Sequence, residues 1–169
     1  MNHAEVPAVG DYMTPGPYFV GPDELLARAE ALMREHGIRH LPVVSDDGEL
    51  LGVVSDRDVY PARSMSRERA ESMSISDAMT PDPYVVAPDA PLNHVARVMY
   101  ERRIGSAVVV DRGMVVGVFT VSDGLVALVE ALEGTYTRRR YEGVTTEPPA
   151  RRHPSDPALA LARQRARPR

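Results

Sequence analysis

Gly52-Val53-Val54-Ser55-Asp56-Arg57-Asp58 and, 65 residues further on, Gly117-Val118-Phe119-Thr120-Val121-Ser122-Asp123 decide how this chain is read. In each, an apolar, strand-like run ends in a hydroxyl residue, and a carboxylate follows three positions later. Ser55-x-x-Asp58 and Thr120-x-x-Asp123 therefore have the spacing of a capping box, with Asp where Glu or Gln is usual. On spacing alone, a helix cap accounts for both. The same pair at a strand-to-helix junction also suits the cis-diol of a ribose. An ionised carboxylate accepts from both hydroxyls, and the Ser or Thr adds a third bond; charge-assisted bonds of this kind contribute about 1.5–3 kcal/mol each. A helix beginning at the box points its free N–H groups the same way, which suits an anion. The repetition of the box, each time behind a glycine-bearing strand, favours the ribose.

Working outward, Asp11-Tyr12-Met13-Thr14-Pro15 opens a first half, followed by a short extended piece, Tyr18-Phe19-Val20. Pro22-Asp23 is expected to start a helix with Asp23 as its N-cap. Leu25, Leu26, Ala29, Leu32 and Met33 make its apolar face, and Gly37 its C-terminal stop. Leu41, Val43 and Val44 mark a strand, Asp46-Asp47-Gly48 a turn, and Leu50 to Val54 the return strand of a hairpin. The helix opened by Ser55 is cut short at Pro61.

The order then repeats. Asp77, Met79, Thr80 and Pro81 match Asp11, Met13, Thr14 and Pro15 at an offset of 66, and Pro83, Tyr84 and Val86 match Pro17, Tyr18 and Val20. Leu92, Val95 and Met99 take the helix-face places of Leu26, Ala29 and Met33, and Ile104, Val109 and Val110 those of Ile38, Val43 and Val44. A shorter turn at Arg112-Gly113 brings the offset to 65. Two copies of about 60 residues are too few and too long for a solenoid, so a pseudo-symmetric pair packed face to face is expected. The expected division is a first motif over 1–62, a linker over 63–76 with a helical turn around Arg67–Ser72, a second motif over 77–133, and a tail over 134–169. Leu125, Leu128, Val129 and Leu132 give the last helix an apolar face that the halves or a second subunit must cover.

Composition closes several function classes. All 20 basic residues are arginine, and there is neither lysine nor cysteine. Schiff-base chemistry, a phosphate-binding P-loop lysine, thiolate nucleophiles, Cys-ligated zinc and disulfides are thereby excluded. The five histidines are scattered without ligand spacing, so no metal site is expected. No carboxylate pair suggests acid–base work. The N-terminus lacks the pattern of a signal peptide, and no apolar run is long enough to span a bilayer. A soluble, cytoplasmic protein without membrane partners is expected. From Gly134 onward nine arginines face three acids, whereas residues 1–133 carry 11 arginines and 21 acids. An acidic body thus bears a basic tail whose composition is that of disorder.

In order and twice over, these pieces resemble a tandem CBS-domain protein of the stand-alone bacterial type. The motifs are the Met-Thr-Pro openings, Ile38-Arg39-His40-Leu41-Pro42-Val43-Val44 with Ile104-Gly105-Ser106-Ala107-Val108-Val109-Val110, and the two Gly-x-x-Ser/Thr-x-x-Asp stretches. The resemblance covers about Val9 to Glu133 and implies an α/β (α+β) fold, each half roughly β-α-β-β-α, paired about a pseudo-twofold axis as a Bateman module. It also implies a homodimer, an unnamed regulated protein, and inter-motif clefts for an adenosine ligand: AMP, ADP, ATP or S-adenosylmethionine. No cofactor is required and no catalysis is expected. Carried over by position, Ser55, Asp58, Thr120 and Asp123 hold ribose. Arg39 and His40 stand where family members often place phosphate contacts, and Arg57 is a further candidate; a solvated strand edge is the alternative for Arg39 and His40. Cleft contacts to the base are expected from Thr14, Val20, Ile38, Pro42, Thr80, Val86, Ile104, Gly105 and Ser106. Because Gly105 and Ser106 replace Arg39 and His40, the clefts should differ. The rival expectation is a structural dimeric adaptor with vestigial clefts, whose arginine tail binds nucleic acid or an acidic partner.

Overall fold

The structure, a computed structural model, describes residues 6–61, 69 and 72–136. Most of the expected linker and the tail beyond 136 lie outside the described residues, and with them the nucleic-acid role of the tail and all of the turn expected around Arg67–Ser72 except Arg69 and Ser72, which are helical.

The first half contains β1 (Thr14–Pro15), α1 (Leu26–His36), β2 (His40–Val44), β3 (Leu50–Ser55) and α2 (Asp56–Val59). The second contains β4 (Thr80–Pro81), β5 (Val85–Val86), α3 (Leu92–Arg102), β6 (Ser106–Asp111), β7 (Met114–Thr120) and α4 (Val121–Glu133). The mixed α+β architecture with its two repeats is as expected. β2 and β3 form one antiparallel hairpin and β6 and β7 the other, each with a register shift at the same repeat position, Val43/Val44 and Val109/Val110. Gly37 and Gly134 end α1 and α4 in the left-handed conformation, with φ of 62° and 67°.

The halves are not closed units. β1 pairs with β7, and β4 with β3, so each Thr-Pro strand joins the sheet of the other half. The segments before these strands follow. Ile75 N–H donates to the Glu24 carbonyl and Leu26 N–H to that of Met73, while Val9 N–H donates to Ala90 and Leu92 N–H to Pro7. Ile75 is fully buried in the core that Leu26, Ala29, Leu41 and Val54 form. Val9, Tyr12 and Met13 belong to the core of Val95, Met99, Ala107 and Phe119. A third cluster, Val44, Val108 and Val115, draws on both halves.

Two glycines admit the crossing strands. A Cβ on Gly52 would stand 2.7 Å from the Thr80 carbonyl oxygen, and one on Gly117 3.1 Å from that of Thr14 while overlapping the Met13 sulfur. At Gly52 a side chain would have to displace the Thr80 backbone, and at Gly117 it would have to push Met13 aside and crowd the Thr14 carbonyl.

Two sequence expectations are corrected, and one open alternative is narrowed. α1 starts at Leu26, not at Asp23, which is an exposed turn residue; Leu25 stands at the N-cap position. The physical reason is that the Met73 carbonyl, arriving from the second half's opening segment, accepts the Leu26 N–H, so no side-chain cap is needed there. Leu25 is 49% exposed, outside the apolar face assigned to it. The two halves also do not cover the apolar face of α4. Only Ala127 is buried on that helix, while Leu125, Leu128, Val129 and Leu132 are 57%, 52%, 50% and 79% exposed.

Candidate functional site

Both capping boxes form. Ser55 N–H and Oγ–H donate to Asp58 Oδ2 at 2.7 and 2.6 Å, and Thr120 N–H and Oγ1–H donate to Asp123 Oδ2 at 2.7 Å each. The two strand-to-helix junctions are therefore alike in geometry, and all four residues are partly exposed. Helix capping, open from spacing alone, is realised; both bonds in each box fall on a single carboxylate oxygen.

The electrostatics differ. Burial pushes the Asp123 carboxyl above its ordinary value, against the lowering by Thr120's side-chain and backbone donors. Beside the first box, burial holds the His40 imidazole below its ordinary value; Asp56 counteracts this, while Arg39 and Arg57 add to it.

The strand openings carry the larger contrast. His40 pairs with Ser55 and Ser106 with Thr120. One residue earlier, the Arg39 carbonyl accepts from Asp56 N–H at 3.0 Å, and the Gly105 carbonyl from Val121 N–H at 3.2 Å. Main chain is thus equivalent in the two halves, while side chains are not. The Arg39 guanidinium leaves its own half and donates to Ser122 Oγ at 3.1 Å, beside Asp123. Gly105 returns nothing, and a Cβ placed on it would stand 2.9 Å from His40 Nε2. Arg39, His40, Gly105 and Ser122 thus meet where the halves join. Ser122 had no signal in the sequence beyond lying inside the repeated stretch.

The remaining expected contacts are distributed along the strands. Thr14 and Thr80 are exposed on β1 and β4, opposite Val118 and Val53. Val20, Pro42 and Val86 are buried, Val20 bridging to Val43 and Val86 pairing with Val109. Ile38 and Ile104 pack on the two cores at their edges, and Ser106 is 9% exposed. Arg57 is exposed on α2.

An open groove of about 720 Å³ runs between α3 and the start of α4, lined by Met99, Tyr100, Ile104, Thr120, Val121 and Leu125 among others. Of the expected contacts it includes Thr120 and Ile104, but neither Asp123 nor Arg39 nor any first-half residue lines it. Among the described residues, no cluster of His, Asp and Glu could hold a metal ion, and no helix is long and apolar enough to cross a membrane.

Comparison with known proteins agrees with this architecture. The family described as CBS domain matches twice, over residues 9–64 and 75–130. The chain is 35% identical over 105 residues to the inosine-5'-monophosphate dehydrogenase of Korarchaeum cryptofilum (strain OPF8), across 62% of this chain and 21% of that protein. It spans about a fifth to a quarter of the length of the curated dehydrogenases it matches. Among solved structures, CBSX2 from Arabidopsis thaliana in complex with AMP superimposes with a TM-score of 0.65 at 30% identity, over 75% of this chain and 98% of that one. The CBS domain pair of protein MJ0100, in complex with 5-methylthioadenosine and S-adenosyl-L-methionine, gives 0.66 at 26% identity, over 78% and 99%.

Proposed function

The chain belongs to the CBS-domain family as a tandem pair, and from that premise we propose that it is a regulatory module, not a catalyst, that binds an adenosine-type ligand between its halves. The observation that carries this is the pair of matching hydroxyl–carboxylate boxes, each on the strand-to-helix junction where the halves meet. Ser55 with Asp58 and Thr120 with Asp123 hold the ribose. Each carboxylate spends Oδ2 on its cap and offers its other oxygen to the diol, so cap and clamp are one device. The AMP and S-adenosylmethionine complexes of similar CBS pairs support this ligand class. The base lies among the strand residues from Thr14 to Ser106 named above. ADP and ATP are alternatives of the same chemistry, and no further cofactor is needed.

Signalling then goes through shape. The exposed apolar face of α4, with the groove beside it, is where a second copy of this chain docks in the cytoplasm. A regulated protein reads the ligand-dependent disposition of the pair.

A thermal-shift panel of AMP, ADP, ATP and S-adenosylmethionine tests this, since a ligand at a hundred times its Kd stabilises by about 2.7 kcal/mol. At least one should raise the midpoint by several degrees. No shift with any of the four at millimolar concentration would sink it.

A further inference from the structure

Gly134 does more than stop α4. In the left-handed conformation it turns the chain back, its own N–H and that of Thr135 both reaching the Glu130 carbonyl. Tyr136 thereby comes to lie on Tyr12, with ring centroids 6.2 Å apart and planes inclined by 22°. Two hydroxyls then cross in opposite directions. Tyr12 Oη–H donates to Glu130 Oε2 at 2.8 Å, and Tyr136 Oη–H to Asp11 Oδ2 at 3.0 Å. Asp11 is buried and also accepts from Ala8 N–H at 3.0 Å. The end of α4 is thus clasped to the segment that opens the first half.

Both arms of the clasp lead to Thr120 and Asp123. One arm is α4 itself, which Thr120 caps and whose first turn holds Asp123. The other runs from Asp11-Tyr12 through Met13, whose sulfur lies against Gly117, into β1, where Thr14 pairs with Val118. Val118 stands two residues before Thr120 on β7. The first half does not repeat these side chains. The counterpart of Tyr12 is Ala78, with neither ring nor hydroxyl, and that of Asp11 is Asp77, exposed and bound by Ser74 of its own segment.

We infer that Tyr12, Tyr136, Asp11 and Glu130 are positioning residues for the second clamp, fixing Thr120 and Asp123 against Thr14 before ligand arrives. This rests on the adenosine-ligand reading and names the residues, remote from the ligand itself, that set affinity at one of its two clamps. Groups already held in the bound arrangement lose less freedom on binding, so the clasp tightens the ligand without touching it.

Calorimetry of AMP binding to the full chain, with one clamp silenced, tests this. In Asp58→Asn, where the second clamp is intact, Tyr12→Phe with Tyr136→Phe keeps both rings and removes both hydroxyls. Affinity should fall about three- to tenfold, the worth of an ordinary hydrogen bond. Glu130→Gln, whose amide oxygen still accepts from Tyr12, should stay within about twofold, whereas Glu130→Ala should not. In Asp123→Asn, where the first clamp is intact, the Phe pair should leave affinity within about twofold, although urea midpoints fall alike in both backgrounds. A general loss of stability would not discriminate between the clamps. Equal losses in both backgrounds, no loss in Asp58→Asn, or an Asp58→Asn chain that binds no AMP overturns the inference. Tyr136→Phe alone serves should the double variant fail to fold. If the unsubstituted chain binds none of AMP, ADP, ATP and S-adenosylmethionine, the adenosine reading itself fails, an outcome distinct from those above.

Discussion

The imidazole of His40 lies against Gly105 so closely that a Cβ on the glycine would stand 2.9 Å from Nε2 and 3.3 Å from Cε1. The pseudo-symmetry of the molecule is broken at this point by a large residue meeting a small one. Gly105→Ala forces the ring aside at the junction of the halves and should destabilise by about 1–3 kcal/mol, as overpacking does. His40→Ala combined with Gly105→Ala should recover much of that loss, a coupling that a double-mutant cycle of urea midpoints measures. Strict additivity would mean that the two residues do not share the space.

Stability should fall on mild acidification. Burial depresses the folded-state pKa of His40 below its ordinary 6.5, so the unfolded chain binds the proton more readily. The contribution of His40 is then present above 6.5 and is lost as pH falls from there through the folded pKa. Urea midpoints between about pH 8 and about pH 5 should decline, and His40→Gln should flatten the decline. An unchanged slope in His40→Gln would assign it to other groups.

Three glycines separate close approach from mere absence of a side chain. Gly52→Ala and Gly117→Ala put a Cβ into the crossing strands β4 and β1, and each should cost about 1–3 kcal/mol or more. Gly124 lies inside α4, where a Cβ would meet only Phe119 Cζ at an ordinary 3.6 Å. Gly124→Ala should therefore stabilise, by up to about 1 kcal/mol from helix propensity. Denaturant titration decides each; a stabilised Gly52→Ala would contradict the packing described.

These positions also show what was legible in the sequence. The boxes, the hairpins and the helix stop at Gly37 follow local patterns of spacing and periodicity, and all are found. The exchange of β1 and β4 was not legible, because two-residue strands carry no periodicity and their partners are set by tertiary packing. The start of α1 was misplaced for the same reason, since its cap is the Met73 carbonyl of the other half's opening segment. Arg39 and Ser122 are exposed and 83 positions apart, and nothing in composition or pattern joins them.

The apolar face of α4 gives a prediction about assembly. Leu128 and Leu132 are half or more exposed, and Leu128→Asp with Leu132→Asp would place charge in a contact between two copies. Sedimentation should show a dimer of the unsubstituted chain and a monomer of the double variant, with the fold retained by circular dichroism. A dimer in both would place the contact elsewhere.

The double role of the boxes is the central claim. Loss of an N-cap costs about 1 kcal/mol, whereas loss of a ribose clamp weakens ligand about 10- to 100-fold. Burial raises the Asp123 carboxyl, so affinity at that clamp should fall on acidification before an ordinary carboxylate would titrate. The most direct measurement is a calorimetric titration of AMP into the unsubstituted chain and into the Asp58→Asn, Asp123→Asn double variant, both folded at neutral pH. Binding to the first and none to the second, at matched concentration, is what the ribose clamps require. Equal binding by both chains, or heat from neither, would leave Ser55–Asp58 and Thr120–Asp123 as helix caps alone.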